Sequence, residues 1–176
     1  ALLHYLNSTF KPGCESLSFG ANEYQGKRCY EHLEGWVKEV KEVEPGVMKK
    51  VPKPGIELSQ KSETRWDSGS KVEVLKSGTP EQVNGPHPHV AHADEVELMR
   101  QDTWDESRNM PVSGVTTDGR RIRARNICTS TRKSMHGRMQ TLINEIRKAE
   151  ADGMIPTYRL YQYCIFETAA QVVNCR

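Results

Sequence analysis

No stretch of about 18 apolar residues occurs in the chain, so no segment reads as a membrane-spanning helix. No charged-then-apolar leader pattern opens it. Aromatic residues are scarce, at 7 % of 176 residues, and mean hydropathy is low, at −0.71. Cysteines number five (Cys14, Cys29, Cys128, Cys164 and Cys175), odd in count and widely spaced, with no Cys-x-x-Cys pair. That pattern fits a reducing compartment with small buried thiols and not a disulfide framework. An excess of one charge is also missing. The net charge is +2, which excludes a protein coated in basic residues and leaves nucleic-acid contact to local patches. No repeat or low-complexity tract is present.

What remains is enough for one domain with a real core, since a chain of this length buries roughly 70 % of its unfolded surface. The chain begins Ala1-Leu2-Leu3-His4-Tyr5-Leu6, without Met and already in a helical apolar pattern. It closes on Asn174-Cys175-Arg176, after a strand-like run. Both ends are expected to be cuts through a longer protein.

Apolar spacing predicts a helix ending near Phe10-Lys11-Pro12-Gly13, a strand over 15–20 and a helix over 22–43. The prolines and glycines of 45–55 read as a loop, 71–75 as a strand, and 78–88 as a second loop. Residues 89–93 form a short strand, 103–110 a helix, and Asp118-Gly119 a hairpin turn between arms 112–117 and 120–125. A strand continues to Thr129, Met135, Met139, Leu142, Ile143 and Ile146 mark an amphipathic helix ending at Asp152-Gly153, and 158–166 reads as a last strand. This alternation predicts an α/β domain with a mainly parallel sheet, whose ligands sit at the carboxyl ends of strands.

Candidate chemistry is therefore expected at those ends. In Val90-Ala91-His92-Ala93-Asp94-Glu95, two adjacent carboxylates follow a buried strand. In phosphoryl-transfer enzymes such an Asp holds Mg²⁺ and the neighbouring carboxylate activates water. The same pair suits the first turn of a following helix. Cys128-Thr129-Ser130-Thr131 ends the next strand, with Thr129 placed 35 residues after Asp94. Its hydroxyls suit a γ-phosphate or the lytic water, and equally the N-cap of the next helix. Gly20-Ala21-Asn22-Glu23-Tyr24-Gln25-Gly26-Lys27-Arg28 imitates a phosphate loop. It has one residue too many between its glycines and Arg28 where a hydroxyl belongs, so the chain contains no Walker A motif.

Two further groups are suggestive. His87, His89 and His92 neighbour Asp94 and Glu95, a possible divalent-metal set, although His89 and His92 point to opposite faces of a strand. Arg121, Arg123 and Arg125 share one face of a strand and, with Arg132, Lys133 and Arg138, suit phosphates or a solvated hairpin face.

Several segments occur in a distinctive order: Ser62-Glu63-Thr64-Arg65-Trp66-Asp67-Ser68-Gly69-Ser70, Ser77-Gly78-Thr79-Pro80, Asp94-Glu95-Val96-Glu97-Leu98-Met99, Trp104-Asp105-Glu106-Ser107-Arg108-Asn109-Met110 and Thr129-Ser130-Thr131-Arg132-Lys133. As a set they resemble the ATPase domain of a bacteriophage terminase large subunit, the DNA-packaging motor. The resemblance implies a RecA-like P-loop NTPase fold of the additional-strand type, incomplete at its N-terminus. It implies ATP and Mg²⁺ as cofactors, Asp94 on the Mg²⁺, Glu95 as catalytic base, and Thr129, Ser130 and Thr131 as the coupling motif. It further implies double-stranded DNA, portal protein and small terminase subunit as partners, a homo-oligomeric ring, and action in the host cytoplasm at the procapsid, away from membranes. Residues 1–157 would be a partial ATPase domain whose Walker A loop lies before Ala1. Residues 158–176 would lead toward a nuclease domain. Competing readings are a motor domain of a superfamily-two helicase and a non-enzymatic basic DNA-binding module.

Overall fold

A computed structural model describes residues 1–75, 80–131, 133–156 and 159. The chain divides into two compact units, residues 1–131 and 132–176.

The first unit is built on a six-stranded sheet whose strands, from edge to edge, are Arg125–Thr129, Val90–Asp94, Glu15–Gly20, Lys71–Val74, Glu63–Trp66 and Ile56–Ser59. Its centre is parallel: β1 (Glu15–Gly20) pairs with β6 (Lys71–Val74) on one side and β7 (Val90–Asp94) on the other, and β7 pairs with β10 (Arg125–Thr129). Two antiparallel strands, β4 (Ile56–Ser59) and β5 (Glu63–Trp66), extend the far edge. The mainly parallel α/β sheet expected from the sequence is therefore present. Buried strands of this kind need apolar side chains on both faces, and in β7 Val90, Ala91 and Ala93 are buried.

Helix α1 (Leu2–Phe10) stops at Lys11, ahead of Pro12 and Gly13. Its packing inverts the usual rule. His4, Asn7 and Ser8 are buried, whereas Leu2, Leu3, Leu6 and Phe10 are exposed. Helix α2 (Glu23–Val37) is capped by the Asn22 side chain, which accepts from Gln25 N at 3.0 Å. Tyr30, Leu33 and Val37 of α2 pack with Trp66, Val72 and Val74 of the sheet. Tyr30 Oη donates to the Gln60 carbonyl and bonds Thr64 Oγ1, each at 2.7 Å, so the ring is buried with its hydroxyl satisfied.

The predicted helix over 22–43 is too long. After Val37 the chain forms a hairpin, β2 (Lys38–Glu44) with β3 (Val47–Pro52), closed at Pro45-Gly46. Gly46 has φ +78°, the conformation a Pro-Gly turn requires and Val43 could not adopt. Val40 and Val43 match helical spacing but are β-branched, and they lie in a strand. The loop expected over 45–55 is thus mostly strand. Residues Pro80–Val83 of the second expected loop form one helical turn, α3.

A short 3-10 turn (Val96–Leu98) follows β7, then α4 (Gln101–Ser107). The Asp118-Gly119 turn is present, joining β8 (Gly114–Val115) to β9 (Arg121–Ile122). The strand predicted to run unbroken through Arg121, Arg123 and Arg125 is interrupted. Ala124 N bonds the Ser113 side chain at 3.1 Å in place of a ladder partner, and β10 begins at Arg125.

In the second unit, α5 (Arg138–Ala151) is the amphipathic helix expected, with Leu142, Ile143 and Ile146 buried. The predicted strand over 158–166, Arg132, Cys164 and Cys175 lie outside the described residues. Among the described residues, no helix is long and apolar enough to cross a membrane.

Candidate functional site

Parallel pairing sets the ends of β1, β7 and β10 in one row, with Gly20 opposite Asp94 and Asp94 opposite Thr129. All three positions are at carboxyl ends, where backbone dipoles and loop openings favour ligands. The register brings together the two motifs that lie 35 residues apart in sequence. Thr129 Oγ1 donates to Asp94 Oδ1 at 2.7 Å. Ser130 Oγ donates to Glu95 Oε2 at 3.3 Å and accepts from Glu97 N at 3.2 Å. Asp94 Oδ1 also accepts the Glu95 amide at 3.0 Å. One carboxylate oxygen of Asp94, Oδ1, therefore accepts two hydrogen bonds.

Glu95 has φ 52° and ψ 49°, the only positive φ at a non-glycine position among the described residues. A left-handed glutamate is strained, and strain of this kind gathers at sites where a side chain must be aimed. Two structural explanations for the motifs lose ground here. Glu95 stands at the N-cap of the 3-10 turn without a side-chain capping bond, and the Glu97 amide is capped instead by Ser130. Nor do Thr129, Ser130 and Thr131 cap α5, which begins after Gly137.

His92 joins the network one pleat behind. Its Nε2 lies 3.0 Å from Thr129 Oγ1. The threonine proton goes to Asp94, so His92 Nε2 is the donor to the threonine oxygen. His92 faces His4, with ring centroids 5.5 Å apart. His87 and His89 stand apart from it: His87 is exposed, and His89 Nδ1 accepts the Glu15 amide at 2.9 Å. The histidines of one stretch do not converge; the structure groups His92 with His4 and Cys29 instead. Neither of those residues is visible as a partner in sequence, because α1, α2 and β7 meet only after folding.

The glycines of the imitation phosphate loop have another task. A Cβ on Gly20 would lie 2.7 Å from Gln25 Cβ, and one on Gly26 would lie 3.3 Å from Phe19 Cα. They let α2 approach β1 closely, and Asn22 fills the helix N-terminus.

The basic residues fall into separate places. Arg121, Arg123 and Arg125 are exposed and form no ion pair with a described residue. Arg120 is committed, bonding both Asp118 carboxylate oxygens and the Phe10 carbonyl. Asp118 is held down to about 2 by hydrogen bonds from Arg120 and Thr116. Lys133 is exposed in the second unit.

No family model and no curated protein matches the chain. Among solved structures it is similar to the large terminase ATPase domain of Thermus phage P74-26, at 16 % identity and a TM-score of 0.36. The similarity covers 73 % of this chain and 52 % of that one, so the chain spans about half the length of that structure.

Proposed function

We propose that the chain is part of a nucleoside-triphosphate-hydrolysing motor of the terminase large-subunit type, with a RecA-like fold, that moves double-stranded DNA. The observation that carries this reading is the pairing of two strand ends: Thr129 to Asp94 and Ser130 to Glu95. Adjacent carboxylates aimed by hydroxyls from the neighbouring parallel strand are what metal-assisted hydrolysis of a phosphoanhydride needs.

The donors suit Mg²⁺, a hard ion that takes oxygen ligands. Asp94 would hold it, and its charge would neutralise the phosphates. Glu95 accepts the proton of the attacking water, and Ser130 orients the Glu95 carboxylate. Thr129 fixes Asp94 and, being bonded to both β7 and its own strand, passes a change at the site into β10. The described residues hold no cradle of backbone N–H groups for the phosphates, so the reading requires a phosphate loop from outside these residues. β10 has one sheet neighbour among the described residues, leaving a side on which a further strand can pair. Arg121, Arg123 and Arg125 are the proposed DNA contacts. Portal protein, small subunit, ring assembly and a host-cytoplasmic site of action follow from the terminase reading alone.

Equilibrium nucleotide binding tests the Mg²⁺ assignment. In the full-length protein, Asp94→Asn should remove the Mg²⁺ dependence of ATP binding, and Thr129→Val should weaken it. ATP binding with unchanged Mg²⁺ dependence in Asp94→Asn would sink the assignment.

A further inference from the structure

Beneath α1 lies a group of polar side chains that the hydrolytic reading does not use. His4 on α1, Cys29 on α2 and His92 on β7 each place one ligand atom so that all lie within 4.8 Å of one another. His4 is 2 % exposed, and neither of its ring nitrogens has a hydrogen-bond partner. Ser8 of α1 and Ser18 of β1 are buried with unpartnered hydroxyls, and Ser18 is the register neighbour of His92. Buried polar atoms are almost always satisfied, so the unpartnered His4 ring, set beside a thiol and a second imidazole, marks a place for a ligand.

The chemistry identifies the ligand. The donors are one sulfur and two imidazoles, a set that suits a borderline transition-metal ion. His92 bonds Thr129 Oγ1 through Nε2, which leaves Nδ1 as the atom for a metal ion. A ligating imidazole whose other nitrogen is held by a hydroxyl, itself bonded to a carboxylate, is the usual surrounding of a metal-bound histidine.

We propose that His4, Cys29 and His92 form a binding site for a divalent transition-metal ion, with Zn²⁺ the ion suited to two imidazoles and one thiolate. Ligands of a tetrahedral zinc stand roughly 3.3–3.6 Å apart, given Zn–S near 2.3 Å and Zn–N near 2.0 Å. Rotations moving the donor atoms by about an ångström close the set around the ion. The metal ties α1 and α2 to the sheet at β7, and its His92 ligand touches the threonine that anchors Asp94. The proposal stands apart from the ATP reading: its donors include sulfur, which Mg²⁺ avoids.

The test uses the full chain, reduced and freed of metal, titrated with Co²⁺ as a spectroscopic probe. One equivalent should bind with a thiolate-to-metal charge-transfer band and the intense visible bands of four-coordinate Co²⁺. Zn²⁺ should displace it, and Mg²⁺ should not. Cys29→Ser should abolish the charge-transfer band and weaken Zn²⁺ binding about tenfold or more, while Cys128→Ser keeps both. A readout on the unaltered chain guards against misfolded variants: Zn²⁺ should slow alkylation of Cys29, read residue by residue by mass spectrometry, but not that of Cys128. Absence of Co²⁺ and Zn²⁺ binding at micromolar concentration, a Cys29→Ser protein that binds like the parent, or no protection of Cys29 would each overturn the proposal.

Discussion

Glu95→Gly should be more stable than Glu95→Ala, although both variants remove the proposed base. Glu95 is held at φ 52° and ψ 49°. That conformation costs an L-residue about 1–2 kcal/mol and costs glycine almost nothing. Against this gain stands the greater freedom of glycine in the unfolded chain, about 0.4–1 kcal/mol. Alanine at the same position keeps the strain and equally lacks the carboxylate, so both variants lose the 3.3 Å bond from Ser130. The comparison of Glu95→Gly with Glu95→Ala therefore isolates the backbone. Glycine should be the more stable by about 0.5–1 kcal/mol, the reverse of its sign within a helix or strand. In urea, with a slope of roughly 2–3 kcal/mol/M, the midpoint of the glycine variant should lie about 0.3 M higher. An alanine variant as stable as the glycine variant, or more so, would show that Glu95 is not strained in solution and would remove that argument for a functional role.

Three other outcomes follow from the packing. Gly114→Ala should destabilise by about 1–3 kcal/mol, because its Cβ would lie 2.1 Å from His89 Nε2; thermal unfolding reads this, and His89→Ala in the same chain should recover much of the loss. Tyr30→Phe should cost about 1–2 kcal/mol by leaving the Gln60 carbonyl and the buried Thr64 hydroxyl short of a partner, measured by urea unfolding; a neutral result would mean that water satisfies both. The Asp118 carboxyl should titrate near 2 instead of 3.8, and return toward 3.8 in Arg120→Ala, as followed by carboxyl carbon NMR. Its folded value is depressed, so the stability it adds is complete above 3.8 and fades as pH falls toward 2.

Strands with both faces buried were readable in the sequence, because β1 and β7 place small and apolar residues between clear turn signals. The amphipathic α5 was readable for the same reason. The β2–β3 hairpin was not. Its arms are almost wholly exposed, so no alternation marks a buried face, and Val40 and Val43 fell by chance at helical spacing. The turn signal at Pro45-Gly46 was present but read only as a break. Helix α1 misleads more deeply: its leucines form a regular apolar pattern, yet the face turned inward carries His4, Asn7 and Ser8. For the site, Asp94, Glu95 and Thr129 could be proposed because strand ends are where parallel sheets do chemistry. The role of Ser130 in capping Glu97 could not, since it depends on the register between β7 and β10. The His4–Cys29–His92 group was invisible because no spacing rule links residues on three separate elements. The single strand expected beneath Arg121, Arg123 and Arg125 is broken by a local detail, the side chain of Ser113 taking the Ala124 amide.

The central claim is that two adjacent carboxylates at the end of β7 divide the work of hydrolysis. Steady-state ATP turnover by the full-length protein carrying Glu95→Gln tests it most directly, with nucleotide binding measured in parallel. Glutamine keeps the size of the side chain and a carbonyl for Ser130, but it cannot take a proton from water. Turnover should fall by about 10²–10⁴-fold with nucleotide affinity nearly unchanged. Turnover equal to that of the parent would contradict the account.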